Sequence, residues 1–330
     1  MVREIEVATF LKNMGQGVSR PVLVIGDDFK EYILKNENID NNGTIQKYNC
    51  MFINELLAYQ IGTYLEIPMP EAVIAYVDDE FSSNDPTIMF AYRFKEGKYF
   101  ATRKLENIEN NIVDNYEEMI RMNKPRIKMT WRNFLKNIDN KEDIAKIMAF
   151  DILIFNFDRL RNEGNILLNL EANSNRRLYA IDHGHAFGGP IMNDTKINVL
   201  KGPSLSPGYI DYYSCLISDL IGKDLSGTGI IFKTLEEYIN LDDLENHSFK
   251  SIVAKIETIS EEMIDEWFEC IPNEWFIDRN FQIAHYKNFI LKQKQLIRYI
   301  IQNMAEKNAF SNYRGGILKW EVKNKKSTTA

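Results

Sequence analysis

The amino-acid sequence predicts an α+β protein with a small, sheet-rich N-terminal lobe and a larger, mainly helical C-terminal lobe. Residues 1–95 contain short apolar runs typical of strands around one amphipathic segment, whereas helical periodicity dominates the chain after about residue 100. We therefore expect an N-terminal lobe of residues 1–95 and a C-terminal lobe of residues 96–330. Two such lobes leave a cleft between them in which a ligand can bind.

The N-terminal lobe is predicted to begin with a hairpin. The apolar runs in VSRPVLVIGDD and FKEYILK flank a Gly-Asp-Asp turn, which is typical of two paired strands. The polar segment NENIDNNGTIQKYN predicts a loop, and FINELLAYQIGTYLEI predicts an amphipathic helix that ends before Pro68. The runs EAVIAYV and TIMFAYRF predict two further strands.

The C-terminal lobe is predicted to contain one more hairpin among its helices. The segment EDIAKIMAFDILIFNF has the apolar stripe of a helix. After a polar interruption, the runs NILLNL and RLYAID predict two strands joined by the polar turn EANSNRR. The last third, ending in FILKQKQLIRYIIQNM, predicts a helical bundle.

Composition narrows the class of protein. A net charge of −7, with 45% hydrophobic and 26% charged residues, is typical of an ordinary globular protein and argues against a nucleic-acid-binding surface. No run is long enough to cross a bilayer, and the N-terminus lacks the apolar stretch of a signal peptide. The three cysteines are far apart and form no CxxC pair, so we expect a reducing, cytoplasmic location and no structural zinc.

The hairpin of the C-terminal lobe gathers oxygen-bearing side chains. With its turn centred near Ser174, antiparallel pairing sets residue 165 or 166 opposite Asp182, so Asn165 and Asp182 lie at the same end. Asp158 lies one short loop upstream. Amide and carboxylate oxygens suit magnesium, and a spare carboxylate suits general-base work. The alternative is that Asp158 and Asn162 only cap the turn.

The N-terminal lobe offers a matching set of residues. Lys35 ends the strand EYILK, and Glu55 lies on the following helix, so the two can form an ion pair of the kind that holds phosphates. Gly15 and Gly17, in MGQGVSRP before the first predicted strand, have backbone N–H groups that can approach phosphate. Taken singly, the charges are typical of solvated surface residues and the glycines of simple turns.

The order of these features resembles the protein-kinase-like superfamily. More narrowly, the segments YILK, NELLAYQIGTYLEIPMPE, FDILIFNFDRLRNEGNILL and LYAIDHGHAF are similar to those of the HipA-like kinases of bacteria. The resemblance covers most of the chain, and the order FNFDR, GNILL and IDHG is its specific part. It implies a bilobal protein-kinase-like fold that uses ATP and Mg²⁺.

The resemblance also implies a role for each matching residue. Lys35 would bind the α- and β-phosphates and would be held by Glu55. Asp158 would accept the proton of the attacking hydroxyl, and Asn165 and Asp182 would bind magnesium. Phosphoryl transfer depends on charge neutralisation and in-line positioning, which a lysine, a metal ion and its ligands supply.

The spacing of the metal ligand departs from that of common kinases. There, the catalytic Asp and the metal-binding Asn are about five positions apart, whereas Asn165 lies seven positions after Asp158 and Asn162 lies four after it. We choose Asn165 because it immediately precedes the strand ILL, as the family's metal ligand does. A loop two residues longer follows from this choice.

Two further departures flank the predicted catalytic residue. Asn156 stands two positions before Asp158, where common kinases have His, and Leu160 stands two positions after it, where many have Lys. Arg159 and Arg161 are both candidates to supply the missing positive charge.

The sequence IDHG matches the DFG motif in part. Asp182 and Gly184 match its first and third positions, and His183 stands where the motif often has Phe. His183 and His185 form an HxH pair of the kind that can bind a transition metal. Without a third histidine or a cysteine nearby, we expect His183 to pack in the core and His185 to line the loop.

The sequence therefore predicts an ATP- and magnesium-dependent phosphotransferase, a HipA-like serine/threonine protein kinase whose substrate is a protein. Two alternatives remain open: a nucleotide-binding pseudokinase that acts as a scaffold, and a small-molecule kinase that shares every motif. By analogy alone, the resemblance suggests that the protein has a regulatory, antitoxin-like partner.

Overall fold

A computed structural model describes residues 2–14, 20–41, 44–79, 94–109, 127–157, 159, 165–171, 175–221 and 230–321 of the chain. Within these ranges the protein is a mixture of strands and helices, as the sequence predicts. The strands are β1 (Arg3–Asn13), β2 (Val22–Gly26), β3 (Glu31–Leu34), β4 (Asn38–Asn41), β5 (Thr44–Lys47), β6 (Ala72–Val77), β7 (Gly97–Arg103), β8 (Ile166–Leu170) and β9 (Arg176–Ala180). The helices are α1 (Met51–Leu65), α2 (Ile127–Phe134), α3 (Asp143–Leu153), α4 (Asp194–Lys201), α5 (Pro207–Ile221), α6 (Ile230–Leu235), α7 (Lys250–Glu257), α8 (Glu261–Glu269) and α9 (Arg279–Glu306).

Five strands close into a barrel in the order β1, β2, β3, β7, β6. The predicted hairpin of β2 and β3 is confirmed, with Val22 paired to Leu34. The barrel also contains β1, which pairs antiparallel with β2 and parallel with β6. The prediction that VLVIG forms the first strand is therefore wrong. In β1, only Ile5 and Val7 are buried, so this strand carries a weak apolar signal among charged residues.

The polar segment after β3 is more ordered than the sequence predicts. Strands β4 and β5 pair antiparallel as a small two-stranded sheet, where we expected a loop. Every described residue of β5 is exposed, so this strand has no apolar face to reveal it. The dipeptide Asn42-Gly43 between the strands was the available signal, since Asn-Gly is typical of two-residue hairpin loops.

The barrel continues past the expected end of the N-terminal lobe. The predicted strand EAVIAYV is confirmed as β6, which pairs antiparallel with β7. Strand β7 also pairs with β3, so residues up to Arg103 belong to the barrel, and a boundary at residue 95 falls before one of its strands. Most of the predicted strand TIMFAYRF lies outside the described residues.

Helix α1 lies between the barrel and the other helices. It packs against β7 on one side and against α3, α7 and α8 on others. Twelve of its residues are buried, including the polar Asn54 and Glu55. The helix ends at Leu65, and Glu66 takes a left-handed conformation with φ 60°, as expected just ahead of Pro68. Asn54 and Glu55, together with Gln60, therefore place polar side chains of this helix in the protein interior.

The second hairpin is confirmed, but its predicted register is wrong by about one residue. Strands β8 and β9 pair with Ile166 opposite Ala180 and Leu170 opposite Arg176, which centres the hairpin on position 173 and sets Asn165 opposite Ile181. The helix before it is also shorter than predicted. It ends at Leu153, and Phe155 has a positive φ of 54°, so the chain turns sharply there.

The predicted C-terminal helices are present as α7, α8 and α9. Helix α9 begins after Asp278, whose side chain accepts a hydrogen bond from the N–H of Phe281. It packs against α3, α4, α5, α7 and α8 and is the central helix of this part. Across the described ranges, no helix is both long and apolar enough to span a membrane.

Candidate active site

Lys35 is the centre of a three-residue charge cluster. It directly follows β3, and its backbone N–H donates to the carbonyl of Phe100 on β7 at 3.0 Å. Its Nζ donates to Glu55 Oε1 at 2.5 Å and to Asp182 Oδ1 at 2.9 Å. The ion pair expected between Lys35 and Glu55 is thus present. The same ammonium group also joins Asp182, so the barrel, helix α1 and the end of the second hairpin meet at one point.

The second hairpin delivers Asp182 to this point. The N–H of Ile181 donates to the carbonyl of Asn165 at 3.2 Å, which extends the pairing of β8 and β9 by one residue. Asp182 then adopts a left-handed conformation with φ 59°. A non-glycine residue in this region is held there by its surroundings, and such strain is common at functional sites. The turn directs the Asp182 carboxylate away from the hairpin and toward Lys35.

The three charges perturb one another. Burial opposes the charge of Lys35, but Asp182 and Glu55 outweigh it and raise the pKa of Lys35 above its ordinary value. Burial likewise opposes the charge of Asp182, but Lys35 lowers the pKa of its carboxyl. Burial raises the pKa of Glu55, with partial compensation from Lys35. The Asp182 side chain is 43% exposed and that of Glu55 only 3%, so Asp182 is the carboxylate that a ligand can reach.

The residues after Asp182 pack directly on helix α1. The N–H of His183 donates to Glu55 Oε2 at 3.1 Å. A Cβ on Gly184 would lie 2.7 Å from Met51 Cγ and 3.3 Å from Glu55 Oε1, so a larger residue fits only if the side chains of Met51 and Glu55 move. The lack of space for a side chain thus explains why glycine stands at position 184 of IDHG. Glu55 is held by Lys35 on one carboxylate oxygen and by the His183 backbone on the other.

A second cluster of buried polar side chains includes Asn156 and Arg159, which flank position 158 in the sequence. Arg159 is 1% exposed, and its Nε donates to Asp151 Oδ2 at 2.7 Å. Asn156 donates from Nδ2 to Asp151 Oδ1 at 2.9 Å. Asp151, on helix α3, therefore holds the residues before and after Asp158. Asp151 was not predicted from the sequence; a single carboxylate in the apolar run IMAFDILIF was the available signal.

Arg159 also ties this cluster to the hairpin. Its Nη1 donates to the carbonyls of Asn165 and Ile181, the latter at 3.1 Å, and its Nη2 lies 2.8 Å from His183 Nε2. Its guanidinium group is buried and fully engaged, which disfavours Arg159 as the solvent-facing charge that replaces a kinase lysine. The expectation that His183 packs in the core is confirmed, since it is 4% exposed and contacts the Phe150 ring. Burial, and then Arg159, lower the pKa of His183.

Several residues predicted for the site lie outside the described ranges. These are Asp158, Asn162, Arg161, Leu160, Gly15 and Gly17. The two glycines follow β1 rather than precede the first strand, because they fall in the segment that joins β1 to β2. The N–H of Met14 donates to the carbonyl of Pro21 at 3.0 Å across the base of this segment.

The donor set near the hairpin end fits magnesium better than zinc. In the described part of the chain, no group of three or more His, Cys, Asp or Glu side chains is arranged to hold a metal ion. Asp182 has a partly exposed carboxylate, and the amide-bearing residue Asn165 is buried at the start of the same hairpin. Magnesium commonly binds through one or two carboxylates together with water and substrate phosphates, without a full protein cage. Hard oxygen donors of this kind fit such an ion.

Comparison with known proteins identifies the family. The family model of the HipA-like kinases matches residues 7–199, which is more than half of the chain. The chain therefore belongs to the HipA-like kinase family. Membership supports a kinase-type function, that is, a phosphotransferase. No curated protein sequence matches the chain.

Solved structures of kinases are similar to this chain at low sequence identity. The proinflammatory kinase CtkA of Helicobacter pylori has a TM-score of 0.49 and 13% identity, with 94% of this chain and 98% of that chain covered. HipA of Shewanella oneidensis MR-1, in a toxin–antitoxin complex with HipB and operator DNA, has a TM-score of 0.44 and 11% identity, covering 90% and 67%. The Golgi casein kinase has a TM-score of 0.36 and 12% identity, covering 98% and 76%.

Proposed function

We propose that the protein is an ATP- and magnesium-dependent kinase that phosphorylates a serine or threonine hydroxyl of a protein substrate. The observation that supports this most directly is the contact of Lys35 with both Glu55 and Asp182. Kinases use a strand lysine paired with a helix glutamate, together with an aspartate that binds magnesium. Lys35, Glu55 and Asp182 follow one another along the chain in the same order and lie in contact. Family membership supports the same activity.

Each residue has a task in this proposal. Lys35 would bind the α- and β-phosphates, with Glu55 fixing the direction of its ammonium group. Asp158 would accept the proton of the attacking hydroxyl. Asn165 and Asp182 would hold Mg²⁺, which neutralises phosphate charge when it is bound. The backbone N–H groups of Gly15 and Gly17 would approach the phosphates.

We also propose a bilobal arrangement with the nucleotide between the lobes. The barrel would form most of the N-terminal lobe and would extend to Arg103, eight residues beyond the boundary expected from the sequence. The helices and the second hairpin would form the C-terminal lobe. Lys35 and Asp182 would then face one another across the cleft, 2.9 Å apart between Nζ and Oδ1.

Transfer of labelled phosphate tests this activity. The protein is incubated with γ-labelled ATP and Mg²⁺, alone and with a cell extract, and the products are separated by size. We expect labelled protein bands that disappear in Asp182→Ala and after removal of Mg²⁺ with a chelator. Asp242→Asn, a change of an exposed carboxylate, is the matched control and should label normally. An absence of label on every protein and small molecule would contradict the proposal.

A pseudokinase scaffold is the second candidate. The observation that favours it is the buried Asn156, bound to Asp151 at the position where common kinases have His. If this proposal holds, ATP raises the melting temperature of the protein while no phosphate is transferred. Label on a partner protein that is lost in Asp158→Ala would exclude it.

A cytoplasmic location and an antitoxin-like partner are further proposals. The partner is raised only by analogy with the family. Affinity purification of the tagged protein from its native cells, followed by mass spectrometry, tests it. We expect one small protein in stoichiometric amount; recovery of the tagged protein alone would contradict the idea.

A further inference from the structure

Lys196, on helix α4, is a buried lysine that the proposed mechanism does not use. It is 0% exposed. Its Nζ donates to the carbonyls of Gly189 at 2.7 Å and Phe187 at 2.9 Å, and the carbonyl oxygen of Ala186 lies 3.4 Å from it. It also donates to the side-chain oxygen of Asn54 at 3.2 Å. One ammonium group thus joins three carbonyl oxygens of residues 186–189, just after IDHG, to helix α1.

The partners of Lys196 are neutral. In the described ranges no carboxylate forms an ion pair with it, whereas the buried Lys35 contacts two. The face of the Tyr286 ring lies 5.0 Å from Nζ and provides a cation–π contact. The Tyr286 hydroxyl donates to the same Asn54 oxygen at 2.6 Å. Carbonyl oxygens and an aromatic face therefore surround the ammonium group as they would surround a bound cation.

Asn54 continues this network to the charge cluster. The carbonyl oxygens of Gly184, Ala186 and Gly189 lie 2.6 Å, 3.0 Å and 3.1 Å from its amide nitrogen, and its two N–H groups are shared among them. The next residue along the helix is Glu55, which contacts Lys35 and the His183 backbone. A shift of the backbone at residues 184–189 would therefore move the first turn of α1 and the Glu55 carboxylate with it.

We propose that Lys196 is a positioning residue whose ammonium group acts as a built-in cation: it clamps residues 186–189 to Asn54 and so keeps Glu55 directed at Lys35 and His183. The expected effect of Lys196 on nucleotide binding rests on the proposed function. Its expected effect on the backbone does not. A methionine of similar length would avoid the desolvation penalty of a buried charge without an ionic partner. The positive charge of Lys196 is thus better explained by the backbone that it positions than by a gain in the stability of the fold.

The clamp has a pH range in which it weakens. Burial lowers the pKa of Lys196 to about 7, and the neighbouring Cys50 opposes this effect only in part. The titratable groups that face Lys196 are Cys50 and Tyr286; burial raises the pKa of each, so both stay neutral near pH 7. As the pH rises through about 7, the ammonium group becomes an amine with one donor fewer and no charge, and its hold on the carbonyls weakens.

The test compares the wild-type protein with Lys196→Met and with Lys201→Met. Lys201 is exposed on the same helix and is the matched control. Binding of ATP with Mg²⁺ is measured by calorimetry from pH 6 to pH 8.5. We expect Lys196→Met to raise the Kd about tenfold at pH 6, and the ratio of its Kd to that of the wild type to fall toward one above pH 8. Lys201→Met should match the wild type throughout.

A second measurement separates this inference from the proposed function. The amide of His183 donates to Glu55, so its hydrogen exchange in the ligand-free protein reports the placement of Glu55. We expect faster exchange at His183 and at residues 184–189 in Lys196→Met, with no decrease in melting temperature. If the wild type binds no nucleotide, the proposed function fails and the exchange alone decides. Unchanged exchange, or a ratio of Kd values that does not vary with pH, would overturn the role of Lys196.

Discussion

Replacing Lys35 with methionine removes the shared partner of two carboxylates. In the wild type its Nζ lies 2.5 Å from Glu55 Oε1 and 2.9 Å from Asp182 Oδ1. At an effective dielectric constant of about 20, each attraction is on the order of 6 kcal/mol before desolvation. Asp182 is 43% exposed, so solvent screens its share, whereas Glu55 is 3% exposed. Most of the loss in Lys35→Met therefore falls on Glu55.

Removal of one partner of a buried ion pair typically costs about 3–5 kcal/mol, because the other charge stays buried without compensation. We expect Lys35→Met to lower the free energy of unfolding by that amount at pH 7.5. An unfolding entropy of about 2.1 cal/mol/K per residue gives about 0.7 kcal/mol/K for a chain of this length. The corresponding decrease in melting temperature is about 4–7 °C, which thermal unfolding followed by circular dichroism can measure.

The same variant has a predicted pH dependence. Burial already raises the pKa of Glu55 in the wild type, and loss of Lys35 removes the main opposing effect. The folded variant then binds a proton at Glu55 that the unfolded chain does not bind at neutral pH, so its stability rises as the pH falls. We expect the difference in melting temperature between variant and wild type to shrink between pH 7.5 and pH 5.5.

A double variant supplies the control. In Lys35→Met with Glu55→Gln, no unpaired buried carboxylate remains on α1, and the glutamine oxygen can still accept from the His183 N–H. We expect the double variant to be more stable than Lys35→Met alone at pH 7.5, with little dependence on pH in this range. A single variant that loses less than about 1 kcal/mol, or a double variant whose loss is the sum of two separate losses, would refute this account of the cluster.

Three further variants test other contacts. Gly184→Ala places a methyl group 2.7 Å from Met51 Cγ, so we expect a loss of about 1–3 kcal/mol in thermal unfolding and weaker nucleotide binding in calorimetry; an unchanged melting temperature would contradict the steric argument. Arg159→Met removes the buried ion pair with Asp151 and should cost about 3–5 kcal/mol; a loss under about 1 kcal/mol would show that the pair is dispensable. Burial lowers the pKa of Lys196 to about 7, so wild-type stability should gain a contribution between pH 7 and pH 10 that Lys196→Met lacks; parallel pH profiles of the two melting temperatures would contradict this.

The sequence predicts those parts of the fold that carry strong local patterns. The hairpin of β2 and β3, helix α1 and the hairpin of β8 and β9 each combine an apolar period with turn residues, and all three are present. The missed elements lack this combination. Strand β5 has no buried residue, and β1 has only two, so their pairing is decided by neighbouring strands rather than by their own side chains.

The contacts of the candidate site were likewise predictable from the sequence only in part. The contact of Lys35 with Glu55 could be expected from a strand and a following helix, because both lie close together along the chain. Asp151 and Lys196 could not, because their partners are set by the sharp turns at Phe155 and Phe187, both of positive φ. Hydrophobic periodicity carries no information on such turns. For Asp151, the position of a carboxylate inside the apolar run IMAFDILIF is a local signal of such a contact, whereas Lys196 stands in the mixed stretch NDTKINVLK and carries none.

Lys35, Arg159 and Lys196 are buried cations near the residues of IDHG, and their partners predict different consequences of removal. Lys35 forms ion pairs with Glu55 and Asp182, and Arg159 forms one with Asp151, so removal of either cation breaks a buried ion pair and destabilises the fold. Lys196 contacts only neutral groups in the described ranges, so its removal leaves no charge behind. If Lys35→Met, Arg159→Met and Lys196→Met all lost similar stability, the contacts of Lys196 with the backbone carbonyls would be an ordinary part of the core. If only Lys196→Met kept its stability and lost the placement of Glu55, this lysine would act through position alone.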